Sequence, residues 1–419
     1  MPESVSRRRV LRGIGLTVAA AVAPRRAGAA RSATSRAARP AEPLTRGPRH
    51  HFFGYYDKCP WNRSGRLVLA MEVEFAGRQP EPGEPLTVGM VDLEGDRRFI
   101  PLDTTLAWCW QQGCMLQWLG TDPERLIIYN RFDDGRYVAV VRDTQGGMTR
   151  VLPRPVYAVS PDGRQAVTLD FGRVGRLRPG YGYVARPDET QGRAAPEDAG
   201  IYWMDLRTDE NRLIIPLAWA ASHRADARLE GAEHWFNHLQ FNPSGTRFIF
   251  LHRWRRGAGA WLTRLYAARP DGTDIRLLSD HGMVSHFDWR DDDTILAWAR
   301  RPSHGDRFYL FDVRGDRAEA FAPDVLTQDG HCSFSPDRRW VLVDSYPDRE
   351  DHQALMLYRI AESRRIVIGR FFHPPALKGK PYRCDLHPRW SRDGRRVCID
   401  GAHESTRQMY VLDVSDLTA

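Results

Sequence analysis

The chain has 419 residues, of which 42% are hydrophobic, and this is enough apolar material to bury a sizeable core. Its formal net charge is +8, but residues 1–30 hold six arginines against the single acidic residue Glu3, so the remainder carries only about +3. A charge of this size excludes nucleic acid as the expected partner and agrees with a local basic pocket for an acidic ligand.

The first thirty residues have the composition of an export signal. The stretch Ser6-Arg-Arg-Arg-Val-Leu-Arg12 resembles the twin-arginine motif, Gly13 to Ala23 form a short apolar run, and Ala27 to Ala30 are small residues suited to cleavage. The apolar run is too short to span a bilayer. We therefore expect a secreted or periplasmic protein without a membrane span. The alternative is a disordered basic tail.

One sequence motif is repeated seven times along the rest of the chain. Each copy has an aromatic or aliphatic anchor, usually a turn such as Ser-Pro-Asp-Gly or Asn-Pro-Ser-Gly, and then a β-rich apolar run. The anchors are separated by 41 to 57 residues, with one longer step of 82. They are Trp61, Trp118, Val159, Phe241, Trp289, Phe334 and Trp390. Repeats of this length and composition are typical of a β-propeller.

The sequence therefore predicts an all-β, seven-bladed β-propeller over residues 48–419, preceded by a signal peptide at 1–30 and a linker at 31–47. Each blade should have four strands, but only Ser415 to Ala419 follow the last predicted strand, Met409 to Val414. We expect the segment Arg49 to Phe53 to pair with that strand and to supply the missing outer strand. Closure of this kind removes exposed sheet edges.

Two insertions interrupt the repeat. The longer one, Gly172 to Ala199, is rich in Gly, Pro and Arg and explains the 82-residue step. The shorter one runs from Trp219 to Phe236. Long loops in compact domains are usually functional or disordered.

The six cysteines contain no Cys-x-x-Cys pair, which excludes a zinc ribbon. Cys59 and Cys384 fall in the first and last repeats, which a ring would make neighbours. A disulfide between them is therefore a hypothesis.

Histidine opens the inner strand of four consecutive units, at His238, His286, His331 and His387. Inner strands begin near the axis of a propeller, so these side chains are predicted to converge. They form either a shared site for a divalent metal (zinc, manganese or calcium) or an acid–base cluster; the alternative is that each one pins neighbouring blades by hydrogen bonds. Neutral imidazoles suit zinc and manganese. Cys332 and Asp385 are alternative ligands.

Tyr157 and Arg173 are predicted to lie on the same side of one hairpin in the third unit. An arginine lowers the pKa of a neighbouring phenol and binds a carboxylate through two hydrogen bonds. The alternative is a packed tyrosine and a solvated arginine. Further substrate contacts are predicted at the same end of the propeller's central channel. They come from Lys58, Gln112, Asn130, Arg178 and His252.

These repeats, the signal and the Tyr157/Arg173 pair resemble the propeller polysaccharide lyases, which comprise the oligogalacturonide, ulvan and rhamnose–glucuronate lyases. The resemblance implies acid–base catalysis by Tyr157 and neutralisation of a uronate carboxylate by Arg173. It places His286 at the position of a catalytic histidine, and His331 and His387 at the positions of two metal ligands. Gln112 stands where the ulvan type has a histidine, and Asp385-Leu-His387 stands where the oligogalacturonide type has His-Pro-His.

The resemblance thus implies a monomeric enzyme that cleaves an acidic poly- or oligosaccharide by β-elimination, with Tyr157 or His286 as the base. Two other functions remain open from the sequence. One is a non-catalytic glycan-binding or scaffolding propeller, and the other is a metal-dependent glycan hydrolase on the same scaffold.

Overall fold

The computed structural model describes residues 34–36, 38–146, 149–315 and 317–419. The predicted signal peptide and the start of the predicted linker lie outside these residues.

The described chain is nearly all β and forms seven sheets, arranged as the blades of a propeller. The elements up to the end of the third blade are β1 (Thr34–Arg36), β2 (Glu42–Pro43), β3 (His50–Phe52), β4 (Leu67–Val73), β5 (Leu86–Asp92), β6 (Phe99–Thr105), β7 (Gln117–Trp118), β8 (Leu126–Asp133), β9 (Arg136–Asp143), β10 (Thr149–Leu152), β11 (Ala158–Val159), β12 (Gln165–Thr168), α1 (Phe171–Leu177), β13 (Gly200–Asp205) and β14 (Asn211–Pro216).

The remaining elements are α2 (Leu217–Ser222), β15 (Glu233–Phe241), β16 (Phe248–Arg255), β17 (Leu262–Ala268), β18 (Arg276–Gly282), β19 (Val284–Trp289), β20 (Thr294–Arg301), β21 (Gly305–Asp312), β22 (Ala318–Ala320), β23 (Cys332–Phe334), β24 (Trp340–Asp344), β25 (His352–Arg359), β26 (Arg364–Phe372), a 3₁₀ turn (Pro375–Leu377), β27 (Arg389–Trp390), β28 (Arg396–Glu404), β29 (Thr406–Asp413) and α3 (Ser415–Thr418). The seven-bladed prediction is confirmed.

The anchors and turns have the structures that their chemistry predicts. Trp61 and Trp289 are buried in the core. The glycines that follow the predicted turns, Gly163, Gly245 and Gly394, have φ of 70°, 70° and 71°. Glycine enters this left-handed region without steric cost, so each turn reverses the chain tightly between the inner strand and the next one.

An N-terminal strand closes the ring, as predicted, but the assignment of that strand to Arg49–Phe53 was wrong. Strand β2 pairs antiparallel with β29, with Glu42 opposite Val411 and Pro43 opposite Tyr410. This outer strand lies inside the predicted linker. The strand at His50–Phe52 instead pairs with β4 as the innermost strand of the first blade.

The inner strand of the first blade is interrupted, which explains the misassignment. His50–Phe52 pairs with one part of β4, and the anchor Trp61 then bridges Val68 in another part of it. The chain between them, residues 53–60, leaves the sheet. A strand broken in this way has no continuous apolar pattern in the sequence.

The longer insertion begins as a helix instead of a loop. Asp170 caps α1 by accepting a hydrogen bond from the backbone N–H of Arg173 at 3.0 Å. Strand β12 consequently ends at Thr168, just before this cap.

All six cysteines lie within the described residues and are free. The hypothesis of a Cys59–Cys384 disulfide is therefore not met. First and last blades are nevertheless neighbours, since Cys59 Sγ lies 3.5 Å from the carbonyl oxygen of Trp390. Among the described helices, none has the length and apolarity needed to cross a bilayer.

Candidate metal and substrate site

The chain that leaves the first blade places a tyrosine among the predicted histidines. The ring centroid of Tyr55 lies 5.1 Å from that of His238, 5.8 Å from that of His331 and 5.0 Å from that of His387. Side chains from the first, fourth, sixth and seventh blades therefore meet at one place. Sequence reasoning missed Tyr55, because the break between His50–Phe52 and the anchor Trp61 that brings it to the centre is visible only in the structure.

Three buried side chains form a candidate metal site. One ligand atom from each of His331, Asp385 and His387 can be chosen so that all three lie within 4.8 Å of one another. Both nitrogens of His387, Nε2 of His331 and both carboxylate oxygens of Asp385 have no hydrogen-bond partner among the described residues. Buried polar atoms without partners are costly, so this arrangement fits a cation that uses them as ligands.

Electrostatics around the cluster agree with this interpretation. Burial holds the pKa of His331 and of His387 well below the usual range, so both imidazoles are neutral. Burial alone would raise the pKa of Asp385, but the charge of Arg383 brings it below its usual value. Nε of Arg383 lies 2.8 Å from Oδ2 of Asp385 without the alignment of a hydrogen bond. The cluster thus offers two neutral nitrogens and one carboxylate.

The cluster contains two of the four predicted histidines, and Asp385, weighed as an alternative ligand, is the third member. His286 lies beside it, with its ring centroid 4.0 Å from that of His331. His238 lies on the other side of Tyr55 and is not a member of the described cluster. Metal binding by His238 and His286 stays a prediction.

His286 is oriented by a carboxylate. Its Nδ1 lies 2.9 Å from Oδ1 of Asp329 and 3.2 Å from the hydroxyl of Ser285. A carboxylate at Nδ1 favours the tautomer whose proton lies there, which leaves the lone pair on Nε2. His286 is therefore prepared to accept a proton.

Tyr157 lies close to this centre with its hydroxyl fully engaged. Its oxygen is 3.0 Å from Oδ1 of Asn237 and accepts from the backbone N–H of His238 at 3.0 Å and from Nε2 of Gln112 at 2.7 Å. Burial raises the pKa of Tyr157 well above its usual value. Tyr157 therefore keeps its proton, and the side chain of Gln112 contacts the Tyr157 hydroxyl directly.

The backbone supports the histidines with unusual geometry. His238 and His387 have φ of 52° and 42°, in the left-handed region that non-glycine residues rarely adopt. The register of β15 against β16 shifts between Asn237 and Gln240, beside His238. Such conformations cost free energy and cluster at functional sites.

Arg173 is placed differently from the prediction. Its side chain is about 1% exposed, and Nε donates to the carbonyl oxygen of His234 at 2.7 Å. Its other nitrogens donate to Thr190, Arg193 and Ala194. These contacts hold the long insertion against the fourth blade and engage every nitrogen of the guanidinium within the protein, so substrate contact by Arg173 stays a prediction.

Three other predicted contacts are also engaged within the protein. Asn130 is fully buried and bonds the backbone of Val156 through both Nδ2 and Oδ1. His252 is buried against His234, with a nitrogen separation of 2.9 Å. Nζ of Lys58 lies 2.8 Å from the carboxylate of its neighbour Asp57. These contacts support roles in packing for Asn130 and His252.

Two other arginines have unpaired donors beside the histidines. Arg253 is 4% exposed, and neither its Nε nor its Nη1 has a partner in the described chain. Burial and the charge of Arg178 lower the pKa of Arg253 to about 10, so it remains charged at neutral pH. Nε of Arg178 is likewise buried and unpaired among the described residues. The sequence places Arg253 at a strand end beside His252 without indicating which of the two faces the mouth.

Tyr181 connects these arginines to the metal cluster. The guanidinium carbon of Arg178 lies 4.7 Å from its ring centroid, and Nη2 of Arg383 donates to its hydroxyl at 3.0 Å. Its ring lies 5.4 Å from that of His238. The site is thus a neutral histidine cluster bordered by three guanidinium groups.

Comparisons with known proteins support the fold. No family model and no curated protein matches this sequence. Among solved structures, the chain is similar to an oligogalacturonate lyase in complex with manganese, at 14% identity and a TM-score of 0.64, over 91% of this chain and 95% of that one. It is also similar to an oligogalacturonate lyase from Vibrio parahaemolyticus, at 12% identity and a TM-score of 0.60, over 89% and 93% of the two chains. At these identities the likeness shows the shared propeller fold.

Proposed function

We propose that the protein is an exported lyase that cleaves a uronate-containing glycan by β-elimination. The observation that carries the proposal is the buried guanidinium of Arg253, whose Nε and Nη1 have no partner among the described residues and whose charge acts on the nearby His238. A buried cation with unpaired donors is costly unless an anion binds it. A uronate carboxylate is such an anion, and the reaction begins with its neutralisation.

Arg253 takes the role that the sequence assigned to Arg173. Guanidinium groups bind carboxylates through two parallel hydrogen bonds. Neutralising the carboxylate makes the proton at C5 of the uronate more acidic. Preorganised donors of this kind are often the largest single contribution to catalysis.

His286 is the base. Its Nε2 removes the C5 proton, the electron pair forms the C4–C5 double bond, and the bond from C4 to the leaving oxygen breaks. Tyr157 then supplies the proton to that oxygen, because its raised pKa keeps the phenol protonated. An imidazole reaches a pKa near neutrality unaided, whereas this buried phenol does not.

The residues His331, Asp385 and His387 fit a divalent cation, and their mixed nitrogen and oxygen donors suit manganese or zinc. When bound, the ion supplies positive charge beside the carboxylate and the developing carbanion. One of the two similar structures named above is a complex with manganese. Calcium is less suited to the two imidazoles.

A non-catalytic glycan-binding propeller is the second candidate. It is favoured by Arg173 and Tyr157, because both members of the predicted catalytic pair are engaged by the protein itself. In this case the arginines would bind an acidic sugar and no bond would break.

One assay separates the candidates. Purified protein is incubated with a panel of acidic glycans, with and without added manganese, and the 4,5-unsaturated uronate is followed by its ultraviolet absorbance. The proposal expects this product from the wild type and its loss in His286→Ala. New reducing ends without the absorbance would indicate a hydrolase, and binding without product would indicate a glycan-binding protein.

A further inference from the structure

Trp261 is an exposed aromatic side chain with no role in the proposed chemistry. It ends the connection between β16 and β17 and is 37% exposed. Large hydrophobic side chains are seldom this accessible in the described chain, and Trp261 is one of five. The connection lies on the face where the second strand of a blade ends, which is the face of the histidine site.

The indole contacts the cationic side of the site. The guanidinium carbon of Arg178 lies 4.1 Å from the Trp261 ring centroid, and that of Arg253 lies 5.9 Å from it. The guanidinium of Arg178 therefore lies between Trp261 and Tyr181, since its carbon is also 4.7 Å from the Tyr181 ring centroid. Cation–π contacts of this kind orient the guanidinium and the indole together.

An exposed ring beside two guanidiniums has the chemistry of a sugar subsite. A pyranose has an apolar face that stacks on an aromatic ring, and polar groups at its edge that accept hydrogen bonds from arginine. Arg178 covers part of the indole, and the exposed remainder faces solvent. One guanidinium and one tyrosine ring separate Trp261 from His238, so a sugar on Trp261 is a neighbour of the sugar at the histidine site.

We propose that Trp261 and Arg178 form a second sugar subsite, which binds the residue next to the cleaved uronate by stacking and hydrogen bonding. The inference rests on the proposed function for its reaction, but the binding itself does not require turnover. It makes Trp261 a specificity-determining residue and predicts that chain length matters to substrate recognition.

Two measurements test the subsite. The first is affinity electrophoresis in gels containing an acidic polysaccharide, with wild type, Trp261→Ala and Trp261→Phe. We expect Trp261→Ala to bind about tenfold more weakly, and Trp261→Phe to recover most of the affinity because a ring remains. The control is Trp203→Ala, since Trp203 is a half-buried indole of the third blade whose Nε1 donates to Gln165 and whose ring is covered by Arg212. Its affinity should equal that of the wild type.

The second measurement is kinetic, on uronate oligosaccharides of increasing length. Trp261→Ala should raise KM for the longer substrates with little change in kcat, which is the signature of a uniform binding contact. Unchanged binding and unchanged KM in Trp261→Ala would overturn the subsite even if the unsaturated product forms. If no glycan gives that product, the proposed reaction fails and the electrophoresis alone tests the subsite. Retention of the wild type that is lost in Trp261→Ala supports the subsite. A wild type that is not retained by any acidic polysaccharide overturns it.

Discussion

Asp344 holds His331 by two contacts at once. Its Oδ2 lies 2.9 Å from Nδ1 of the imidazole, and its Oδ1 accepts the backbone N–H of the same residue at 2.7 Å. Both residues are buried. The ring is thereby fixed through Nδ1, and its Nε2, which has no partner among the described residues, is the nitrogen left available to a metal.

We therefore expect Asp344→Asn to weaken metal affinity by about 10- to 100-fold, as is typical when a residue that orients a metal-ligating histidine is altered. The measurement is a competition titration of purified protein with a chromophoric chelator. Asp337→Asn is the matched control, because Asp337 accepts a hydrogen bond from Ser335 in a turn of the same blade. Equal affinities in the two variants would contradict the assignment.

Asp385 and His387 should be required for metal binding itself. Protein purified without added metal should contain one equivalent of a divalent ion, and His387→Ala or Asp385→Ala should contain almost none. Elemental analysis of the purified protein provides the measurement. His51→Ala is the control, since His51 is a buried histidine whose two nitrogens contact Gln408 and Glu72. A metal-free wild type with full activity would exclude a catalytic ion.

Substitution of Arg253 should affect activity, whereas substitution of Arg173 should affect stability. Arg253→Met should lower kcat/KM on uronate glycans by about 10²–10³-fold, because a donor to the transition-state charge is lost. Its free energy of unfolding should not fall, since removing an unpaired buried charge relieves a desolvation cost.

Arg173→Met should have the opposite pattern: the free energy of unfolding should fall, and kcat/KM should change little. It removes the donor to five carbonyl or hydroxyl acceptors, four in the insertion and one in the fourth blade, and loss of one partner of a buried charged network costs about 3–5 kcal/mol. Denaturant unfolding and initial rates at low temperature measure the two effects. Complete inactivity of a stable Arg173→Met protein would restore the role that the sequence assigned to this residue.

His286 and Asp329 should act as a unit. His286→Gln should lower kcat by about 10²–10⁴-fold, the usual contribution of a general base. Asp329→Asn should retain more activity than His286→Gln, because Asp329 fixes the tautomer and orientation of the imidazole without taking part in the proton transfer. Tyr157→Phe tests the acid: turnover near that of the wild type would remove the phenol from the mechanism.

Stability should fall in weak acid because of a buried histidine pair. Burial lowers the pKa of His234 to about 4 and that of His252 well below its usual range, and their nitrogens lie 2.9 Å apart. In the unfolded chain both titrate near pH 6.5. Between these values the unfolded state binds more protons, so the free energy of unfolding falls as pH drops from about 6.5 to 4, by at most about 1.4 kcal/mol per pH unit for each histidine.

Calorimetric melting points across this range measure the effect. His252→Phe keeps a ring at the same place and removes one titrating group, so its melting point should depend less steeply on pH. An equally steep dependence in this variant would assign the acid lability to other groups.

The sequence by itself determined the repeat, the turns and the number of blades. These features depend on local chemistry: Gly163 and Gly245 reverse the chain wherever a left-handed φ is needed, and anchors such as Trp289 supply an apolar ring that packs between neighbouring blades. It also brought His331 and His387 together, because equivalent positions in a ring of similar units converge on one axis.

Only the tertiary structure decided what joins them at the centre. Tyr55 enters because the inner strand of the first blade is broken, and Glu42–Pro43 closes the ring because it pairs with β29 while His50–Phe52 pairs with β4. Arg173 and Arg253 are both arginines near the end of a second strand, and no local pattern distinguishes them. Contacts with residues distant in sequence engage every nitrogen of one guanidinium and leave donors of the other unpaired.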